Sequence, residues 1–168
     1  MLKGIETERK FVIVRPDTAL LSQREGYTVS RITQTYLASA PSVTHRVRRR
    51  EFAERVVYTE TKKIRLSPLS AIEEEGEIDA VTYKALLGRI KEGTRPVEKT
   101  RHTFPYGEHT VEIDVYPEWQ RNCILEVELP SEDAELTLPP FLTVIREVTG
   151  DRSYSNAAMA MKFPDELI

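Results

Sequence analysis

The sequence predicts a mainly antiparallel β fold (α+β class): a sheet closed into a barrel with a charged interior and a few peripheral helices. Period-two alternation of apolar and polar residues runs through most of the chain, which is the pattern of β-strands. On the polar side of these segments, charges of largely one sign recur at every second position. No repeat or low-complexity tract divides the chain, so we expect residues 1–168 to form a single domain.

The expected strands are, in order, Ile5–Val14, Ser30–Ala38, Thr44–Phe52, Arg55–Leu66, Ile72–Ile78, Val97–Phe104, Thr110–Tyr116 and Cys123–Leu129. A short helix is expected from Thr18 to Arg24. A longer helix is expected from an N-cap at Asp79 through Lys91, with Gly93 as its stop. Two further short helices are expected at Leu142–Val148 and Asn156–Met161.

Composition restricts the class of protein. The formal charge of −3 comes from 24 basic and 27 acidic residues, a near balance that argues against a general binder of nucleic acid or membrane surfaces. The lone Cys123 cannot form an internal disulfide, which fits a reducing compartment. The chain also lacks an apolar run of about 18 residues. We therefore expect a soluble cytoplasmic protein.

The polar faces of the expected strands carry an unusual concentration of like charges. The residues are Glu6, Glu8 and Lys10; Arg46, Arg48 and Arg50; Glu73, Glu75 and Glu77; Lys99 and Arg101; Glu112 and Asp114; Glu126 and Glu128. Like charges stacked on one face cost stability unless a counter-ion or an opposing strand compensates them. Carboxylates suit Mg²⁺ or Mn²⁺, and guanidinium groups suit phosphate. An interior with both predicts a metal-bound polyanion as ligand, and triphosphate is the natural candidate.

Ordered motifs along nearly the whole chain resemble those of the CYTH superfamily, the triphosphate tunnel metalloenzymes. They are E-x-E-x-K at Glu6–Lys10, Q-x-Y-L at Gln34–Leu37, R-x-R at Arg46–Arg48, E-x-E at Glu73–Glu75, V-x-K-x-R at Val97–Arg101, E-x-D-x-F/Y at Glu112–Tyr116 and a late E-x-E at Glu126–Glu128. The resemblance implies an eight-stranded antiparallel tunnel, dependence on Mg²⁺ or Mn²⁺, and chemistry on a small-molecule triphosphate.

The resemblance also implies roles for individual residues. The phosphate chain would be held by Lys10, Arg46, Arg48, Lys63, Lys99 and Arg101. The metal carboxylates would be Glu6, Glu8, Glu126 and Glu128, with Asp114 contributing. Lys10, Lys99, Glu73 and Glu75 are the expected catalytic residues. The register at Lys62 and Lys63 stays open by one residue, with Lys63 preferred.

Two positions depart from the family pattern. Many relatives have an arginine where this chain has Ala71, and some have a lysine where it has Ser155. Each departure removes an expected positive charge from the tunnel.

Several functions remain open from the sequence. Hydrolysis of inorganic tripolyphosphate to pyrophosphate and phosphate is preferred. The alternatives within the family are a thiamine triphosphatase, a nucleoside triphosphatase or a class IV adenylate cyclase. An alternative of another class is a module that binds polyphosphate or a nucleotide without turnover. The sequence also leaves a homodimer open as the assembly.

Overall fold

A computed structural model describes residues 2–168, with side chains from residue 4 onward. Eight antiparallel strands form a closed barrel: β1 (Leu2–Val14), β2 (Thr28–Leu37), β3 (Thr44–Glu51), β4 (Val56–Arg65), β5 (Ser70–Ile78), β6 (Val97–Tyr106), β7 (His109–Val115) and β8 (Asn122–Glu128). A ninth strand, β9 (Val144–Glu147), adds to β1. The helices are α1 (Thr18–Leu21), α2 (Ala80–Leu87) and α3 (Asn156–Met159), with a 3₁₀ turn at Arg152–Tyr154. The predicted fold class is confirmed.

Strand β1 closes the barrel by changing partners along its length. Its first half pairs with β5, where Glu6 lies opposite Ala71, and its second half pairs with β8, where Lys10 lies opposite Glu126. The remaining neighbours follow in the order β5-β4-β3-β2-β6-β7-β8. Every pairing is antiparallel, and because successive side chains of a strand point to opposite faces, alternate residues of each strand point into the barrel.

Three apolar clusters surround this interior. Phe11, Ile13, Ile113 and Leu125 form a core outside β1, β7 and β8, covered by Leu21 of α1 and Leu142 of the C-terminal region. Tyr83 of α2 covers Leu37 and Val47 outside β2 and β3. The third cluster lies where β1 and β2 end and β6 begins, and there inward residues of the barrel pack against the C-terminal segment. Its members include Val12, Tyr36, Val97, Tyr116, Ile124, Tyr154 and Met159. We call this the lower end of the barrel.

The expected helix at Leu142–Val148 is wrong, because this segment contains β9. The pairing of β1 with β5 ends at Thr7. The backbone groups on the same edge of β1 beyond Thr7 therefore need another partner. Val12 pairs with Arg146, and Val148 N–H donates to the Lys10 carbonyl at 2.9 Å. Tertiary strand pairing therefore decides the local structure.

The helix that begins at Asp79 is shorter than expected. Asp79 is its N-cap, and its carboxylate accepts from Thr82 N–H at 2.7 Å. The helix ends at Leu87 rather than Lys91, and Gly88, not Gly93, occupies the C-cap. The backbone beyond it pairs with the end of β2, where Lys91 N–H donates to the Tyr36 carbonyl at 2.9 Å. The other two expected helices are also shorter, at Thr18–Leu21 and Asn156–Met159.

Candidate functional site

The interior of the barrel contains a cavity of about 1320 Å³. Almost every charged residue predicted to face the tunnel lines it: Glu6, Glu8, Lys10, Arg46, Arg48, Arg50, Lys63, Glu73, Glu75, Glu77, Lys99, Arg101, Glu112, Glu126 and Glu128. Asp114 is the exception, because it is fully buried behind this surface. Alternation in the sequence therefore assigned the strand faces correctly.

The register question at Lys62 and Lys63 is settled in favour of Lys63. Lys63 Nζ lies 2.7 Å from a Glu6 carboxylate oxygen and 3.5 Å from Glu73, whereas Lys62 is exposed on the outer face. Burial alone would raise the pKa of Glu6, but Lys63 brings it below its ordinary value.

Strand β3 forms a cationic wall without carboxylate partners. Arg48 donates to the Gln34 side-chain oxygen at 2.8 Å, and Arg50 donates to the Ser30 hydroxyl at 2.8 Å. None of the ion pairs within 4 Å in residues 4–168 includes Arg46, Arg48 or Arg50. Burial and the neighbouring charges of Arg46 and Arg101 lower the pKa of Arg48 to about 9. Against the effect of burial, Tyr36, Glu73 and Glu75 instead raise the pKa of Arg46, so the least compensated positive charge of this wall is that of Arg48.

Two buried Nε groups support the same conclusion. The Nε atoms of Arg46 and Arg48 are both buried without a hydrogen-bond partner in the protein. A buried donor left unsatisfied costs about 1–3 kcal/mol, and more when charged. A multivalent anion in the cavity would supply the missing acceptors.

Beyond β2, which separates them from β3, strands β6 and β7 hold a buried ion network around Asp114. Arg101 donates to Asp114 through Nε at 2.7 Å and through Nη2 at 2.8 Å, and Lys99 Nζ lies 2.9 Å away. Burial would raise the pKa of Asp114, but these two cations hold it well below its ordinary range. In this arrangement Asp114 fixes the positions of Arg101 and Lys99. It presents no oxygen to the cavity.

Lys99 is also held from the C-terminal segment. Its Nζ donates to Asn156 Oδ1 at 3.4 Å, and the same oxygen accepts from the Tyr116 hydroxyl at 2.8 Å. Burial lowers the pKa of Lys99 to about 7, with Arg101 adding to the effect against the attraction of Asp114. The C-terminal segment thus contributes to the tunnel wall as well as to the lower core.

The carboxylates of β1 and β8 form an acidic wall. Glu8 lies opposite Glu128 in the β1–β8 register, and Glu126 lies 3.4 Å from Lys10 Nζ. Burial, Glu126 and Glu6 raise the pKa of Glu8 to about 7. Burial and Glu6 also raise that of Glu128. The shifts of Glu8 and Glu128 therefore reflect burial first and acidic neighbours second. Against the effect of burial, Lys10 and Arg101 instead lower the pKa of Glu126 to about 2.

A divalent cation fits the donor chemistry of this wall. Among residues 4–168, no three His, Cys, Asp or Glu side chains converge as a ready-made metal cage. Mg²⁺ rarely uses such a cage, however, and is usually bound by one or two carboxylates together with water and substrate phosphates. Glu6, Glu8, Glu126 and Glu128 therefore suit a metal that arrives with a phosphorylated ligand.

The two departures from the family pattern have local explanations. Ala71 is buried and does not line the cavity, but Arg65 lies directly opposite it on β4 and does. A neighbouring strand therefore brings a positive charge to this part of the tunnel. Ser155 is the N-cap of α3, and its hydroxyl accepts from Ala158 N–H at 3.1 Å.

Sequence reasoning assigned no role to several residues of the cavity. Arg65 falls outside the motifs by which the site was predicted, and Asn156, in an irregular tail, was given no role although it ends a C-terminal Tyr-x-Asn motif. Arg50 was placed on the correct face by alternation, but the R-x-R motif ends at Arg48. A search for every inward-facing cation, rather than for motif positions alone, would have found Arg50.

Comparison with solved structures supports the barrel as a known architecture. The chain superposes on the crystal structure of an inorganic triphosphatase with a TM-score of 0.59, 29% identity, and coverage of 95% of this chain and 97% of that one. A Hippeastrum protein described as an adenylyl cyclase with a dominant triphosphatase activity matches at a TM-score of 0.54. That match has 15% identity and covers 75% of this chain and 80% of the other, so it bears on the fold alone.

The sequence itself has a close enough relative to establish the family. It is 34% identical over 165 residues to the inorganic triphosphatase of Nitrosomonas europaea, covering 95% of this chain and 99% of the relative. The chain therefore belongs to the CYTH superfamily of triphosphate tunnel metalloenzymes, in the same family as that triphosphatase. No family model matches the chain.

Proposed function

We propose that the protein is a metal-dependent phosphohydrolase that cleaves the terminal phosphate of inorganic tripolyphosphate, giving pyrophosphate and phosphate. The observation that carries this proposal is the β3 wall, whose half-buried arginines form no ion pair within 4 Å in residues 4–168 and whose Arg46 and Arg48 Nε atoms have no acceptor. Guanidinium groups bind phosphate oxygens through paired hydrogen bonds. The relative from Nitrosomonas europaea, named an inorganic triphosphatase, supports the same substrate.

The opposing walls give the residues complementary roles. Arg46, Arg48 and Arg101, with Lys63, would bind the phosphate oxygens and hold the chain along the tunnel. Lys10 and Lys99 would neutralise the charge that develops as the terminal phosphoryl group is transferred. Glu73 and Glu75 of β5 would orient the attacking water. The water oxygen bonds to the terminal phosphorus, the bridging P–O bond breaks, and the bridging oxygen leaves with pyrophosphate.

The metal in this proposal is Mg²⁺ or Mn²⁺, bound through Glu6, Glu8, Glu126 and Glu128. When bound, such an ion supplies charge neutralisation on the phosphate oxygens and activation of water. We assign Asp114 a positioning role instead, because its oxygens are taken up by Arg101 and Lys99.

The cavity offers little to an organic group. Among the described lining residues, Tyr36 is the single aromatic side chain. Its hydroxyl accepts from Gln34 Nε2 at 3.1 Å. A nucleobase or thiazolium ring would thus find few stacking partners, which favours an inorganic substrate over nucleotides and thiamine triphosphate.

Along residues 2–168, none of the helices combines the length and apolarity needed to cross a membrane. We place the enzyme in the cytoplasm.

Arg48→Ala tests the phosphate-binding wall. Loss of one charge-assisted contact of about 1.5–3 kcal/mol should reduce kcat/KM for tripolyphosphate by roughly ten- to a hundredfold. The measurement is phosphate release at a series of tripolyphosphate concentrations, with a thermal melt to verify folding. Arg49→Ala is the matched control, since Arg49 points outward and pairs with Glu51 at 2.8 Å. Equal losses in the two variants would refute the assigned roles of the faces.

Arg65→Ala tests whether the positive charge opposite Ala71 contributes to substrate capture. Because Arg65 is exposed, we expect only a modest effect, a rise in KM of about two- to fivefold with kcat little changed. Lys62→Ala, on the outer face of the same strand, should leave KM unaltered. A KM that responds equally to both changes would reflect general surface charge rather than a contact in the tunnel.

A further inference from the structure

Arg50 continues the cationic row of β3 toward the end of the barrel opposite the lower core. Strands β3, β5 and β8 end there, at Glu51, Ile78 and Glu128, and we call it the upper end. Arg46, Arg48 and Arg50 all line the cavity, and alternate residues of a strand lie about 6.6 Å apart. The row from Arg46 to Arg50 therefore extends for about 13 Å along one wall.

The guanidinium group of Arg50 is oriented by neutral neighbours. Its Nε donates to the Ser30 hydroxyl at 2.8 Å, and its Cζ lies 4.9 Å from the centre of the Phe52 ring. The guanidinium group makes no other hydrogen bond or ion pair to a residue in 4–168. Its terminal nitrogens are therefore available to a ligand, while the side chain is already held in place.

The upper end is suited to an anion carrying its own metal ions rather than to an organic group. Glu77 and Glu112 also line the cavity there, and Glu112 is paired with Arg101 at 2.9 Å. Tyr36, the single aromatic side chain among the lining residues in 4–168, belongs to the lower end. The cavity of about 1320 Å³ also exceeds the roughly 300–1,000 Å³ of ordinary small-molecule sites. There is thus room for a longer linear anion.

We propose that Arg50 forms an additional phosphoryl-binding position at the upper end, so that the tunnel takes linear inorganic polyphosphates longer than tripolyphosphate. The inference rests on the proposed function of the same tunnel. A fourth phosphoryl group in line with those held by Arg46 and Arg48 would reach Arg50, whereas the three groups of tripolyphosphate bound at the deeper positions would not require it.

The test compares tripolyphosphate with tetrapolyphosphate in the wild type and in Arg50→Gln. The wild type should hydrolyse both. The variant should lose about tenfold or more in kcat/KM for tetrapolyphosphate, as expected for one charge-assisted contact. Its loss in kcat/KM for tripolyphosphate should be smaller by a factor of about five or more. Arg49→Gln, on the outer face, is the control. Equal losses on the two substrates, or no turnover of tetrapolyphosphate by a wild type that hydrolyses tripolyphosphate, would overturn the inference.

Calorimetric binding of both polyphosphates separates this inference from the proposed hydrolysis. If the wild type hydrolyses neither substrate, the proposed function fails. The additional position would still stand if tetrapolyphosphate binds more tightly than tripolyphosphate to the wild type and Arg50→Gln removes that difference. Equal affinity for the two anions in the wild type would reject it. A thermal melt of each variant verifies that the comparison is made on folded protein.

Discussion

Asp114→Asn is expected to lower the free energy of unfolding by about 3–5 kcal/mol, the usual cost of breaking a buried ion pair by removing one partner. Asp114 is fully buried and receives two hydrogen bonds from Arg101 as well as the Lys99 ammonium. Asparagine keeps the shape of the side chain but leaves both cations without their main compensation. Equilibrium unfolding in urea measures the difference.

The pH dependence of stability should reveal the same network. Because the pKa of Asp114 is held well below its ordinary value of about 3.9, its contribution is fully present above that value. It is lost progressively as the pH falls below it. The difference in free energy of unfolding between the wild type and Asp114→Asn should therefore become small in strong acid. Glu51→Gln, which removes the exposed partner of Arg49, should change stability little. An Asp114→Asn protein as stable as the wild type at neutral pH would contradict the network.

Removal of divalent metal should abolish turnover, and Mg²⁺ or Mn²⁺ should restore it. The carboxylates of Glu6, Glu8, Glu126 and Glu128 face a common cavity, and the raised pKa of Glu8 reflects both its burial and repulsion from its acidic neighbours. A divalent ion would relieve this repulsion and balance the charge of a bound phosphate chain. The measurement is phosphate release after treatment with excess chelator, followed by stepwise addition of each metal.

Glu6→Gln and Glu126→Gln should raise the metal concentration that gives half-maximal activity, because each removes one anionic ligand. Glu60→Gln is the outer-face control, since Glu60 pairs with His45 at 2.7 Å away from the tunnel. Undiminished hydrolysis in excess chelator would reject the metal assignment altogether.

Much of the site was predictable because alternation in a strand directly determines which face a side chain occupies. Glu6, Glu8 and Lys10 on β1 illustrate this, as do Arg46 and Arg48 on β3. The same rule favoured Lys63 over Lys62 once the neighbouring positions were considered. Closure of the barrel followed from the cost of leaving so many like charges on one face without compensation.

What the sequence could not reveal depends on which strands and side chains meet in the folded chain. The segment that contains β9 has no strong strand pattern of its own, and it becomes a strand because β1 has an open edge beside it. Asp114 occupies a motif position that predicts a metal ligand, yet its oxygens are taken up by Arg101 and Lys99. Arg65 lies two residues after Lys63 and so on the same face, but only the strand register shows that it lies opposite Ala71.

The most direct test of the central claim is product analysis with purified protein and Mg²⁺ or Mn²⁺. Tripolyphosphate, ATP and thiamine triphosphate are supplied in parallel, and phosphate, pyrophosphate and cyclic AMP are quantified. We predict one pyrophosphate and one phosphate for each tripolyphosphate consumed, with a higher kcat/KM than for either organic triphosphate. Tight binding of tripolyphosphate without turnover, or preferential conversion of ATP or thiamine triphosphate, would contradict the account.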